Sequence, residues 1–121
     1  MLAAMDANRA IADLTEISPQ VRDVVIVDAE GALTGTNAPS RVAERLADAG
    51  RRLVEAADAL RPAPVAQLEV ATKTGSVFVV RDGERMIAAT TSAEPTVGLV
   101  FYDLKTCLRV GGGADAHDAA A

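Results

Sequence analysis

Apolar residues recur at steps of three and four positions in three stretches of the chain, which is the period of an amphipathic α-helix. The first helix is predicted to stop at Ser18-Pro19, because the residue before a proline is disfavoured in the helical region. The second is predicted to start with Asn37 as its capping residue and Pro39 in its first turn. The third is predicted to end at a run of three glycines. The predicted helices cover residues 2–17, 37–60 and 94–110.

Between the helices, β-branched runs and short alternating segments predict five strands. They cover residues 21–27, 32–36, 65–72, 76–81 and 85–91. The links from strand to strand are short, which predicts an antiparallel sheet, and most strand positions are apolar, which predicts helices on both of its faces. We therefore expect one α+β domain at residues 1–110 with the order α-β-β-α-β-β-β-α, followed by a disordered tail at 111–121.

The second predicted helix carries more apolar surface than one contact buries. One stripe holds the larger residues Val42, Leu46, Leu53 and Leu60, with alanines between them. A neighbouring stripe of mostly small residues would let another backbone approach closely, so we expect it at the centre of a homodimer. The strand at 65–72 is expected to pair with its copy, because a free edge is a liability. The alternative is that the small stripe packs on the chain's own sheet. The predicted dimer residues are Ala43, Ala47, Gly50, Val54, Ala57, Val65, Gln67 and Glu69.

Composition excludes several classes of function. The 121 residues include 17 acidic and 12 basic ones, a net charge of −5, with two Phe, one Tyr and no Trp. A protein that binds nucleic acid needs a basic surface or aromatic side chains that stack on bases, so we do not expect this chain to bind nucleic acid. No apolar segment reaches the length of a membrane span, so direct membrane insertion is not expected either. The single Cys forms no internal disulfide, which fits a reducing cytoplasm.

The residues considered for catalysis or metal binding have simpler structural interpretations. Cys107 lies on the apolar stripe of the third helix, where a free thiol behaves as a small hydrophobe. His117 lies in the predicted tail, without the rigid position that a general base needs. Asp28 and Glu30 are better explained as turn residues than as cation ligands. We therefore expect no catalytic residue, no cofactor and no metal, since one His and one Cys do not make an ordinary metal site.

Three local phrases resemble the roadblock family, also called the dynein light-chain roadblock family. They are Ile17-Ser18-Pro19-Gln20-Val21-Arg22-Asp23-Val24-Val25-Ile26-Val27-Asp28-Ala29-Glu30-Gly31, Thr74-Gly75-Ser76-Val77-Phe78-Val79-Val80 and Val97-Gly98-Leu99-Val100-Phe101-Tyr102-Asp103-Leu104. The resemblance covers residues 8–110, and the nearest subgroup resembles small bacterial roadblock proteins encoded beside Ras-like GTPases. It implies a profilin-like topology with strand order 2-1-5-4-3, a homodimer formed through the second helix and the third strand, and no catalytic residues.

The resemblance also implies a partner. Family members bind small GTPases or act as dimeric adaptors, so a non-enzymatic regulator of a Ras-like GTPase is the first expectation. A purely structural assembly subunit is the second, and a small-molecule sensor is the third. The partner is expected on the charged outer face of the second helix, at Arg41, Arg45, Asp48, Arg52 and Glu55.

Overall fold

A computed structural model describes residues 2–60 and 62–111 of the chain, and the side chains from residue 6 onward. Three helices and five strands follow one another in the predicted order. They are α1 (Leu2–Ile17), β1 (Val21–Val27), β2 (Leu33–Thr36), α2 (Ser40–Asp58), β3 (Gln67–Ala71), β4 (Ser76–Asp82), β5 (Arg85–Thr91) and α3 (Val97–Gly111). The strands form one antiparallel sheet in the order β2-β1-β5-β4-β3. No described helix combines the length and the apolar character needed to cross a bilayer.

The sheet separates two apolar layers, as the alternation within each strand requires. On one face, α1 and α3 cover β1, β4 and β5, with Ile26, Phe78 and Ile87 fully buried. Phe78 meets Phe101 of α3 edge to face, with ring centroids 4.9 Å apart. On the other face, α2 packs over Val25, Ala88 and their neighbours. Helices therefore lie on both faces, and among the described elements α2 covers one of them by itself.

Two of the turns between strands contain a glycine in the left-handed region. Gly31 adopts φ +85° at the β1–β2 turn, where Asp28 accepts backbone hydrogen bonds from Glu30 and Ala32 through its carboxylate. Gly83 adopts φ +66° in the β4–β5 hairpin. Both angles lie in the left-handed region that favours glycine. Asp28 and Glu30 thus have the turn positions expected of them.

Helix boundaries differ from the prediction at both ends of α2 and of α3. Asn37 does not cap α2, whose N-cap is Pro39. Its amide instead joins the chain to β1, accepting from the Val24 N–H at 2.8 Å and donating to the Arg22 carbonyl at 2.7 Å. At the other end of the domain, Gly111 does not lie in a tail but closes α3, where it packs against Ala7, Ala10 and Ile26. The expected tail at 112–121, with His117, lies outside the described residues.

Candidate interaction surface

The small-residue stripe of α2 faces the chain's own sheet. Ala43, Ala47, Gly50 and Val54 are buried, and Ala57 is half-buried. A Cβ atom placed on Gly50 would lie 3.1 Å from the Met86 Cε and 3.2 Å from the Ala88 Cβ of β5. The absence of a side chain at Gly50 therefore serves close packing of α2 on β5. This corrects the expectation that the stripe meets a helix of a second copy, because its residues are already occupied within one chain.

The larger apolar stripe of α2 is the one left partly open. Leu46 is buried, but Val42, Ala49 and Ala56 are exposed and Leu53 is half-buried. Three half-buried residues pack against the same apolar cluster beneath α2, namely Leu53, Leu68 of β3 and Val77 of β4. Val70, which pairs with Val77 and shares its face, is 40% exposed. We call this surface the α2–β3 patch, and it consists of Val42, Ala49, Leu53, Ala56, Leu68, Val70 and Val77.

The α2–β3 patch borders a strand edge with unused backbone groups. Arg81 donates its N–H to the Ala66 carbonyl and Thr72 donates its own to the Gly75 carbonyl. Hydrogen-bonded pairs alternate along an antiparallel ladder, so every second β3 residue directs its N–H and C=O away from β4. Those residues are Gln67, Glu69 and Ala71. The first two are among the residues predicted for the dimer interface, and their backbone groups point to the open edge.

The opposite edge of the sheet is covered instead. Along β2, the Asn8 side chain of α1 accepts a hydrogen bond from the Thr36 N–H at 3.0 Å. A Cβ atom placed on Gly35 would lie 2.7 Å from the Ala7 Cβ, so α1 runs directly against this strand. Covering an edge with a helix is one way in which proteins prevent further strand pairing. Only the β3 edge therefore offers a strand for pairing within the part of the sheet that is described.

Val65 does not belong to this open edge, contrary to the sequence prediction. The strand begins at Gln67, and Val65 is held by two residues of the same chain. Its N–H donates to the Asp58 carboxylate at 2.7 Å, and its carbonyl accepts from the Arg81 Nε at 3.0 Å. The Arg81 side chain also lowers the pKa of the Asp58 carboxyl below its ordinary value, with the Val65 N–H adding to the shift. Backbone groups engaged in this way cannot pair with a second copy.

The outer face of α2 carries the row of arginines that is predicted to contact a partner. Arg41, Arg45 and Arg52 are exposed and fall on one side of the helix at steps of four and seven. Among the described residues, Arg41 and Arg45 make no ion pair. Asp48 is engaged by Arg51 at 3.2 Å and by Arg52 at 3.1 Å. The two unpaired guanidinium groups are the ones that need no rearrangement to contact an acidic surface.

Cys107 is buried, and burial, with a smaller contribution from Asp13, raises the pKa of its thiol to about 12. A thiol with that pKa is protonated at neutral pH and is a poor nucleophile. Nowhere in residues 2–60 and 62–111 do three or more His, Cys, Asp or Glu side chains come together as metal ligands.

Comparisons with known proteins support the same architecture. The family model described as the Roadblock/LC7 domain matches residues 9–92. No curated protein matches the chain significantly. Among solved structures, a Roadblock/LC7 domain from Streptomyces avermitilis is 15% identical, with a TM-score of 0.74 over 84% of this chain and 91% of that one. MglB from Myxococcus xanthus is 14% identical, with a TM-score of 0.71 over 94% and 90%. An MglB with a tetrameric arrangement is 12% identical, with a TM-score of 0.71 over 93% and 89%.

Proposed function

The chain belongs to the Roadblock/LC7 domain family, and on that premise we propose that it is a homodimeric, non-enzymatic regulator or adaptor that binds a Ras-like small GTPase in the cytoplasm. Roadblock/LC7 domains are generally non-catalytic regulatory or adaptor domains. The observation that carries the proposal is the arrangement of α2. One flank of this helix is apolar and adjoins an open strand edge, and its outer face carries unpaired arginines.

The proposed dimer is supported by two exposed features that adjoin each other, the open edge of β3 and the α2–β3 patch. A two-fold axis beside β3 brings the same strand edge together from both copies, so that Gln67, Glu69 and Ala71 pair across it. The same axis brings the two α2–β3 patches together on one face of a continuous sheet. Pairing satisfies backbone groups and removes apolar surface from water, which is the driving force for association. That an MglB adopts a tetrameric arrangement is consistent with this fold forming oligomers.

The proposed GTPase partner is supported by the position of the α2 arginines in the dimer. With the apolar flanks of two α2 helices in contact, their outer faces lie side by side and double the row of positive charge. The five predicted partner residues of this face carry three positive and two negative charges, whereas the chain as a whole carries a net charge of −5. A GTPase whose switch region presents acidic and apolar residues would complement this face. In this arrangement Glu55 and Asp48 determine how the GTPase is oriented on the surface and contribute little to its affinity.

Two mechanisms of regulation are open to such a surface. An arginine inserted into the GTPase active site would stabilise the charge of phosphoryl transfer, an effect of about 10³ to 10⁵ in rate. Alternatively, docking would reorder the switch loops of the GTPase, so that its own catalytic residues become aligned. We favour reordering, because Arg41, Arg45 and Arg52 lie along a regular helix and reach poorly into a deep pocket. Arg52 is also held by Asp48.

Arginine variants test the proposal. The full chain and its Arg41→Ala, Arg45→Ala and Arg52→Ala variants are titrated into the Ras-like GTPase encoded nearest to it, loaded with GDP or a GTP analogue. Each variant is expected to weaken binding about two- to fivefold, as an exposed charge contact does, with hydrolysis at saturation nearly unchanged. Arg9→Ala on α1, at another exposed arginine, is the matched control. If a variant with all three substitutions binds the GTPase as tightly as wild type does, this surface is not the binding site. No binding of wild type in either nucleotide state would favour the structural assembly subunit.

A further inference from the structure

The face of the sheet opposite α2 carries a groove that the proposed function does not use. It lies between α1 and α3 and encloses about 140 Å³. Its floor is formed by Ala10, Leu14 and Cys107, all of them buried. Its walls rise to two large apolar side chains, Ile17 at 70% exposure and Val110 at 59%. The groove is thus an apolar depression whose upper walls remain in water.

The size and lining of the groove fit one large apolar side chain. A cavity of about 150 Å³ lined by aliphatic residues accepts a benzene ring, so this one takes a leucine, a methionine or a phenylalanine. Covering Ile17 and Val110 at the same time removes two large exposed apolar groups from water. A ligand that inserts an anchor and also covers both walls is therefore favoured over a small molecule that only fills the floor.

The charged residues that line the groove are acidic. Asp13 of α1 and Asp103 of α3 lie on opposite sides of it, and none of the described lining residues is a Lys or an Arg. Neither carboxylate forms an ion pair with another described residue. The lining is completed by Thr106, which is uncharged and whose hydroxyl donates to the Tyr102 carbonyl in its own helix. Two unpaired carboxylates on either side of an apolar slot select for a ligand with positive charges flanking an apolar centre.

We propose that the α1–α3 groove binds an amphipathic helix of a partner protein, with one large apolar side chain in the slot and Lys or Arg residues against Asp13 and Asp103. A helix fits because its i, i+3 and i+4 positions present an apolar anchor and flanking charges on one side. An anionic membrane surface is disfavoured, since it would meet the two carboxylates. A second copy using the same groove is disfavoured for the same reason, because four carboxylates would then come together.

The consequence is a protein with two separate docking faces. The α2 surface carries unpaired arginines and an apolar flank, whereas the α1–α3 groove carries unpaired carboxylates, and the sheet lies between them. The arginines of α2 would recognise one partner and the carboxylates of the groove the other. The two partners would therefore not compete for the same surface. Such an arrangement lets a dimer connect a protein bound at α2 with a second protein bound at each outer groove.

A designed peptide pair tests the groove. The ¹⁵N-labelled full chain is titrated with a synthetic helix of about four turns that carries leucines at i, i+3, i+4 and i+7 and lysines at its other positions. The comparison peptide has the same leucines with glutamates in place of lysines. We expect the lysine peptide to shift the amide signals of Asp13, Thr106 and Val110, and the glutamate peptide not to bind. The double variant Asp13→Asn/Asp103→Asn is expected to lower the affinity at least about threefold at low salt.

The control removes two carboxylates elsewhere. Glu30→Gln/Glu84→Gln changes the net charge equally, at two exposed residues in turns, and is expected to leave the affinity nearly unchanged. An equal loss in this control would overturn the proposal, because net charge alone would then explain binding. Signals that shift on α2 instead of the groove, equal binding of the glutamate peptide, or no binding of the lysine peptide would each overturn it as well.

Discussion

Arg81 of β4 and Asp58, the last residue of α2, form a pair of parallel hydrogen bonds, with Nη1 2.9 Å and Nη2 2.8 Å from the two carboxylate oxygens. The same two side chains hold both backbone groups of Val65, just before β3. One ion pair therefore joins the end of α2, the segment leading to β3 and the adjacent strand. Since the α2–β3 patch and the open edge lie on these elements, this pair fixes the two parts of the proposed dimer interface relative to each other.

Replacing Asp58 with asparagine tests that role. Asp58→Asn keeps the shape of the side chain but removes its charge and one acceptor for the Arg81 guanidinium, so residues 62–71 are expected to open more often. Amide hydrogen exchange should become faster in β3 while the amides of α3 keep their protection. Asp48→Asn, at an exposed ion pair within α2, is the control and should leave β3 unchanged. Equal exchange in β3 for Asp58→Asn and wild type would contradict this role.

The same pair predicts a pH dependence. The pKa of Asp58 is lowered in the folded chain, chiefly by its hydrogen bonds with Arg81. A lowered folded pKa means that the contribution to stability is complete above the ordinary pKa of 3.8 and is lost as the pH falls through the lowered value. Wild type should therefore lose stability relative to Asp58→Asn below about pH 4. Parallel stability curves for the two proteins across that range would contradict the assignment.

Two glycines of α3 predict opposite effects of the same substitution. A Cβ atom on Gly111 would lie 3.0 Å from the Ile26 Cδ1 and 3.3 Å from the Ala7 backbone, whereas one on Gly98 meets nothing within 4 Å. Gly111→Ala is expected to destabilise the fold by about 1–3 kcal/mol through overpacking. Gly98→Ala is expected to stabilise it by up to about 1 kcal/mol through helix propensity. Thermal unfolding measures both, and equal signs would show that α3 does not pack as described.

Burial of Cys107 predicts a thiol that reacts only after unfolding. With its pKa raised to about 12, the native thiol should react with a disulfide reagent at pH 8 far more slowly than a free cysteine, and at the ordinary rate in denaturant. Cys107→Ala should cost about 1 kcal/mol of stability through lost packing. Rapid reaction of the native protein would place the thiol at the surface instead.

The helices and strands could be predicted from the sequence, but the face of α2 that packs on the sheet could not. The bounds predicted for α1 and β1 match the structure because apolar periodicity and Pro19 define them locally. Two adjacent apolar stripes on α2 were equally visible, and choosing between them requires knowing that Met86 and Ala88 lie beneath Gly50. Asp58 and Arg81 are 23 positions apart, and no local pattern marks their contact. Three side chains of the proposed interface that the sequence did not indicate, Leu53, Leu68 and Val70, are found only once the sheet places β3 on the same face as α2.

The assembly itself is tested by comparing two edge-strand variants in the analytical ultracentrifuge. Val70 of β3 and Leu33 of β2 are both 40% exposed, but only Val70 belongs to the α2–β3 patch. At tens of micromolar, wild type and Leu33→Lys are expected to sediment at twice the chain mass of 12.5 kDa, and Val70→Lys as a folded species of 12.5 kDa. Wild type at the single-chain mass, or Val70→Lys at the doubled mass, would contradict dimerisation through α2 and β3.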